Sequence, residues 1–384
     1  MAFMHWPGTK KRGSRPNAAA GSAMLARLLS HDLPRSAALA FLLGLTVVGL
    51  LAAPFLFPGV KALGVAAKIL VFIVLAASFD LLLGYTGIVS FAHTMFFGIG
   101  AYGVAIASQR LGPGWDALAL GALAALGLSL VLALLIGVVS LRVRAIFFAM
   151  ITLAVAAAFQ TLASQFSDFT GGEDGLSFQV PALLTSASRF LPDPVLGVSV
   201  DGRLLCYYML LGCSAVLFLI LLRIVNSPFG RVLQAIRDNE FRSEAIGYRV
   251  VVFRTLSSVI SALFATLAGV MLAVWLRYNG PDTSLSFEIM MDVLLIVVIG
   301  GMGTLYGAVL GSAVFMIAQG YLQDLLRVLA QASEVAPFLA ALLSPDRWLL
   351  WMGLLFVASV YFFPNGIVGE LRRIAHQPIT LRSR

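Results

Sequence analysis

Between Ala37 and Phe363 the chain returns again and again to long apolar stretches that carry almost no charge. A bilayer core offers no water to bare backbone groups, so whatever crosses it must be a helix or a closed barrel. Each stretch here is about twice the length of a barrel strand, which selects helices. With 60% of its residues hydrophobic and 11% charged, the chain is expected to be an all-α, polytopic helical membrane protein. Ten spans are expected, near residues 37–58, 62–83, 88–108, 117–140, 145–166, 204–223, 255–276, 287–302, 305–322 and 347–363.

Basic residues test the direction of those spans. With an N-in, C-in arrangement, eighteen of the 26 Lys and Arg fall inside and eight outside, the asymmetry the positive-inside rule demands. The inside set comprises Lys10, Lys11, Arg12, Arg15, Arg27 and Arg35, then Arg142 and Arg144, six residues from Arg223 to Arg254, and four after residue 371. Lys61 and Lys68 fit least well, though lysines near span ends can snorkel. The expected organisation is a basic cytoplasmic tail over 1–36, a membrane domain over 37–369 and a second basic tail over 370–384. Within the domain, residues 167–203 form an acidic outer loop and 224–254 the largest cytoplasmic one. The first apolar run is long and lacks a small-residue cleavage site, which fits an uncleaved signal anchor.

The cytoplasmic loop concentrates eight charges in SPFGRVLQAIRDNEFRSEAIGYRVVVFR, Ser227 to Arg254. Ser227 is an N-cap with Pro228 at the first helical position, and Phe229, Val232, Leu233 and Ile236 recur at helical spacing. The opposite side holds Arg231, Gln234, Arg237 and Asp238. A second short helix is expected from Phe241 to Ile246, stopped by Gly247 in a left-handed cap. Such loops are often merely solvated. A cap, an apolar stripe and a stop in one segment favour a docking surface.

Two segments are rich in glycine: GYTGIVSFAHTMFFGIGAYG from Gly84, and IGGMGTLYGAVLG from Ile299. In the second, Gly303, Gly307 and Gly311 make a small-xxx-small face suited to close helix contact. The first mixes glycine with Tyr85, Thr86, Ser90, His93 and Thr94, beside Asp80. These polar groups either line a path or bond back to neighbouring carbonyls, with Asp80 near the inner end of its span. Asp292, near Glu288, is placed as a snorkelling helix-end residue. Both segments fall at turns on one side of the ten-span arrangement, as matched broken segments do in many transporters.

Several chemistries are missing. No lysine follows a glycine, so a Walker A phosphate loop is excluded, and any ATP that powers this chain is hydrolysed elsewhere. The four histidines, at 5, 31, 93 and 376, have no metal-ligand spacing. Cys206 and Cys213 lie about 10 Å apart along one helix, beyond disulfide reach. Within the apolar spans Asp80 and His93 are the one acid and histidine that a glycine turn separates, too little for acid/base chemistry. An importer subunit, a facilitator and a membrane enzyme remain.

Six segments together resemble one family. GYTGIVSFAHTMFFGIGAYG, SLRVRAIFFAMITLA from Ser140, TGGEDGL from Thr170, SPFGRVLQAIRDNEFRSEAIGYRV, VVIGGMGTLYGAVLG from Val297 and FFPNGIVG from Phe362 are similar, in that order, to the branched-chain amino acid ABC importer permeases, of the LivM type. Urea-import permeases share much of the pattern. The resemblance covers about Leu70 to Gly369. It implies a bacterial inner-membrane subunit that imports branched-chain or other small amino acids, or alternatively urea, amides or small organic acids. The implied partners are a sibling permease, two ATPase subunits and a periplasmic binding protein. No cofactor is implied on this chain, since ATP and Mg sit on the ATPases, and no nucleic acid is involved. Gly230, Arg231, Ala235, Ile236, Arg237 and Glu240 match the family's GR-x-x-x-AIR-x-x-E run, Gly247 the glycine after it, and Glu244 with Ala245 loosely the EAA motif. With Asp238, these are expected to couple the chain to its ATPase. Asp80 stands where many members have a small polar residue. Thr170, Gly171 and Gly172 in the outer loop are candidates for binding-protein docking or gating, or belong to a solvated connection.

Overall fold

The computed structural model describes residues 36–57, 59–140, 145–190, 198–332 and 344–376. The basic N-terminal tail, Arg142, Arg144, Asp193 and the end of the C-terminal tail lie outside the described residues. The architecture is helical. Among the described residues the ten principal helices are α1 (Ala37–Leu56), α2 (Val60–Asp80), α3 (His93–Leu111), α4 (Trp115–Ser140), α5 (Ala145–Gln165), α6 (Gly202–Val225), α9 (Val250–Leu276), α10 (Phe287–Gly300), α11 (Leu305–Ala332) and α12 (Trp348–Phe362). Two short helices, α7 (Pro228–Asp238) and α8 (Glu240–Ala245), separate α6 from α9, and α13 (Gly366–His376) closes the described chain. That last helix crosses the boundary expected at residue 369.

Nine segments among the described residues are long and apolar enough to cross a membrane. The third expected span, α3, is not among them, because His93, Thr94, Ser108 and its glycines dilute its apolarity. Those residues face neighbouring helices instead of lipid, and α3 is one of the most deeply buried elements. It packs most closely with α9 and α4 and meets α2 through the Phe72–Phe97 and Phe79–His93 ring contacts, whereas α1, α5, α12 and the outer side of α4 turn apolar side chains such as Phe41, Ile146, Leu349 and Leu123 outward. A polytopic membrane protein is expected to show this inversion, since lipid replaces water around its rim.

Glycine sets the spacing at the centre. A Cβ on Gly269 of α9 would lie 1.8 Å from the Phe97 carbonyl oxygen of α3, and one on Gly100 of α3 would lie 1.9 Å from that of Thr266. Hydroxyls then tie the helices through their backbones. Ser261 donates to the Ser78 carbonyl at 2.5 Å, Ser214 to Leu70 at 2.9 Å and Tyr207 to Leu50 at 2.6 Å.

Two helices are broken. α2 continues into a π-helical turn, Leu81–Thr86, and ends at Gly87 in the left-handed region with φ 75°. α10 has 14 residues, or about 21 Å of rise, short of the roughly 30 Å hydrocarbon core. A four-residue turn, Pro281–Ser284, completes its span.

Both ends of the membrane domain lie on the face that carries α7 and α8. Tyr207, in the first turns of α6 and so remote from α7, bonds Leu50 in the second half of α1, which puts the Ala37 end on the α7 side. Gly366 at the start of α13 abuts Gly301, on the same side. The far end holds a small antiparallel pairing of Leu176–Ser177 (β1) with Tyr278–Asn279 (β2), and Arg277 caps it by donating to the Leu184 carbonyl at 2.8 Å.

If the α3–α9 approach holds the centre together, Gly269→Ala lowers stability by about 1–3 kcal/mol, the usual cost of overpacking. Gly212→Ala, where a Cβ meets nothing within 4 Å, serves as control. Thermal unfolding of the detergent-solubilised protein should show a lowered Tm for the first variant alone.

Candidate functional site

The helix pair after α6 forms as its local sequence dictates. The Ser227 hydroxyl accepts from the Gly230 N–H at 3.4 Å and donates to the Ile224 carbonyl at 2.6 Å, and Pro228 opens α7. Gly230 is required by the tight reversal, because a Cβ there would sit 2.0 Å from the Val225 carbonyl oxygen. Leu233 and Ile236 are buried, while Arg231, Ala235, Arg237 and Asp238 are exposed. Asn239 ends α7 and caps α8, accepting from the Arg242 N–H at 2.9 Å. α8 begins at Glu240, one residue before the sequence predicts, since Asn239 supplies the cap. Gly247 follows with φ 97°. Glu244 is exposed, Phe241 is 85% exposed and Ile246 67%.

Glu240 is clamped from behind. Arg254, on the first turns of α9, donates from both terminal nitrogens to its two carboxylate oxygens, at 2.7 and 3.0 Å. Sequence reasoning placed Arg254 only among the loop's positive charges. The i, i+14 spacing gave no helical signal for the pair. Behind it Phe229 stacks on Phe253, centroids 5.8 Å apart, and Tyr248 meets Phe253 edge-on at 5.7 Å.

From α7, Arg237 reaches into the protein and its guanidinium donates to the carbonyl oxygen of Gly84, in the π-helical turn. The second glycine-rich segment arrives at the same point. The N–H of Gly303 donates to Asp80 Oδ1 at 2.8 Å, and a Cβ on Gly303 would lie 3.0 Å from Arg237 Nη1. A Cβ on Gly84 would lie 2.1 Å from Asp80 Oδ1 and 2.2 Å from the Gly303 nitrogen. Gly301 touches Gly366 of the FFPNGIVG segment, where a Cβ would meet the Gly301 Cα at 2.2 Å. Three segments distant in sequence therefore close into one knot, to which α7 is joined through Arg237. Gly303 belongs to its turn, with φ 76°, while Gly307 and Gly311 sit on α11 against Gly300 and the Ile296 carbonyl of α10.

The polar residues near Asp80 are buried within the chain: Asp80, Tyr85, Thr86, Ser90, His93 and Thr94. Thr86 donates to the Leu81 carbonyl at 2.8 Å and lies 3.3 Å from the Ser257 hydroxyl. His93 Nε2 lies 2.9 Å from Ser78 Oγ. That hydroxyl donates its one proton to the Leu75 carbonyl at 2.8 Å, so the imidazole is the donor in this contact. At the far end, Thr170 accepts from the Gly172 N–H at 3.3 Å, and Gly171, Gly172 and Gly175 all have positive φ. No group of three or more His, Cys, Asp or Glu side chains that could hold a metal ion exists among the described residues.

Residues 61–360 match the model of a family described as a branched-chain amino acid transport system permease component. The chain belongs to that family. The permease is also 27% identical over 298 residues to the high-affinity branched-chain amino acid transport system permease protein LivM of Salmonella typhimurium, covering 74% of this chain and 68% of that one. It is 26% identical over 274 residues to the protein of the same name from Escherichia coli, covering 68% and 63%. A probable branched-chain amino acid transport permease protein LivM from Methanocaldococcus jannaschii is 26% identical over 165 residues, covering 42% and 46%. No solved structure matches the chain. The matched residues include the knot at 80–87 and 300–304 and both short helices, and the permease is a multi-pass membrane protein.

Removing the clamp should loosen α8 of the permease. Arg254→Gln is expected to speed amide exchange over residues 240–246 by about ten-fold, the worth of a charge-assisted pair that is partly exposed. Arg242→Gln, whose side chain points outward from the same helix, should leave exchange unchanged in the same experiment.

Proposed function

We propose that this chain is the membrane-spanning subunit of an ATP-driven importer for branched-chain or similar small amino acids in a bacterial inner membrane. It pairs there with a sibling permease, two ATPase subunits that hold ATP and Mg, and a secreted solute-binding protein. The chain itself performs no covalent chemistry. Its N- and C-terminal ends face the cytoplasm together with α7 and α8, in keeping with the distribution of basic residues. The far-end loop, with Thr170, Gly171 and Gly172, receives the binding protein.

The observation that carries this reading is Arg237. It stands on an amphipathic helix whose outer side offers Arg231, Asp238 and, through α8, Phe241 to a partner, while its own guanidinium holds the Gly84 carbonyl inside the protein. An ATPase that closes on nucleotide pushes α7, α8 and the start of α9 together, because Asn239 alone separates α7 from α8 and the Glu240–Arg254 pair fastens α8 to α9. Arg237 passes that displacement to the turns at Gly84 and Gly303. Interfaces packed this closely switch between discrete arrangements instead of deforming smoothly.

Two substitutions separate docking from transmission. Phe241→Asp places a charge in the docking surface and should abolish co-purification with the ATPase subunits. Arg237→Ala should retain co-purification and ATP hydrolysis while uptake of radiolabelled leucine into proteoliposomes falls about ten-fold, as expected when a charge-assisted hydrogen bond is lost. Unchanged association in the first variant together with unchanged uptake in the second would refute the proposal. Uptake by the purified chain without any ATPase would replace it with a facilitator.

A further inference from the structure

One cluster of charged side chains lies within the spans and outside the knot. Lys68 on α2, Glu288 and Asp292 on α10 and Gln319 on α11 come from three helices that pack on one another. Glu288 and Asp292 are four residues apart and so share a face of α10. Gln319 Nε2 donates to Asp292 Oδ2 at 3.1 Å, and Lys68 and Glu288 lie within electrostatic reach of the same carboxylate. None of the four is buried: Lys68 and Glu288 are exposed, Asp292 and Gln319 half-buried.

Charge inside a span that is exposed to hydrocarbon is costly, and such residues face a water-filled cavity or a partner, or pair with each other. Lys61, two turns earlier on α2, shows the paired solution: it forms an ion pair with Asp324 of α11 and lies over the Tyr321 ring, 5.4 Å from its centroid. Lys68 does not. Among the described residues no ion pair within 4.0 Å includes Lys68, Glu288 or Asp292. A cation and two anions therefore stand close enough to influence one another and remain separate. A solute with a carboxylate and an ammonium on adjacent atoms has the complementary charge pattern.

We infer that the face of α2, α10 and α11 bearing Lys68, Glu288, Asp292 and Gln319 borders the aqueous solute path and takes a small zwitterion, carboxylate toward Lys68 and ammonium toward Asp292 and Glu288. This rests on the importer reading given above and adds to it the face that lines the path and the residues that meet each charge of the solute. Gln319 is a positioning residue, since it holds Asp292 through one oxygen and leaves the other to the solute.

The test uses the full complex in proteoliposomes, with both cysteines of this chain replaced in a Cys206→Ala, Cys213→Ala background. Lys68→Cys and Asp292→Cys should react with a membrane-impermeant cationic methanethiosulfonate, and Leu354→Cys on the lipid-facing side of α12 should not. In the native background, Lys68→Gln and Asp292→Asn should each cut ATP-dependent L-leucine uptake by about ten-fold or more, with assembly and ATP hydrolysis intact. Lys68→Arg and Asp292→Glu should keep most of it. Unreactive cysteines at both positions mean that the face is covered by the sibling or by lipid and overturn the inference. Wild-type uptake in both neutral variants overturns it as well. Failure of the unmodified complex to take up leucine would instead strike the importer reading, while thiol labelling would still decide whether this face meets water.

Discussion

The fold depends on how it satisfies the backbone where helices break inside the membrane domain. A π-helical turn leaves carbonyls without the usual intrahelical partner, and a buried carboxylate such as Asp80 needs donors that lipid cannot give. The two deficits are met at one place, the second for Asp80 Oδ1 while Oδ2 keeps no hydrogen-bond partner among the described residues. Arg237 supplies the donor for the Gly84 carbonyl, and the Gly303 N–H supplies one for Asp80. Neither turn is complete without the other, and the first is incomplete without α7. π-helical turns often mark functional sites for this reason, since the groups they free must be held from outside the helix.

Glycine is what makes the closure possible. At Gly84 and Gly303 the neighbouring segment occupies the space a side chain would need, and Gly303 also has positive φ. At these points main chain meets main chain, with no side chain between the two turns. Continuity of this kind is the physical content of coupling between a docking surface and a distant gate. Here its links are the Arg237 guanidinium on the Gly84 carbonyl and the Asp80 carboxylate on the Gly303 N–H, with glycine main chain packed between them.

How much of this was legible in the sequence follows from the range of each interaction. The Ser227 cap, Pro228, the apolar stripe of α7 and the Gly247 stop are local, and the structure shows each of them within a residue or two, while the spans are found in order with ends that differ by up to ten residues, as at α11. The resemblance marked the segments of the knot without indicating that they meet, because nothing local in Gly84 or Gly303 names its partner. The Glu240–Arg254 clamp depends on how α8 turns back on α9, and the burial of α3 depends on what surrounds it. Asp292 stands just over one turn into α10, beside Glu288, where the sequence places it. Its partner Gln319 comes from α11, and nothing local to α10 names it.

The knot and the charged face on α2, α10 and α11 are linked by covalent geometry. α2 carries Lys68 and ends in Asp80 and the Gly84 turn. α10 carries Asp292 and ends at Gly300, and α11 carries Gln319 and begins just after Gly303. All three helices thus run from the knot to the charged cluster, and each is close to rigid over that length. A shift at the knot that moves the Gly84 turn against the Gly303 turn must also move Lys68 against Asp292. Two opposite charges that a zwitterion bridges in one arrangement would be drawn apart or together in the other, and the solute's hold would change with the position of α7. Binding and release would then need no gate separate from the helices that receive the force.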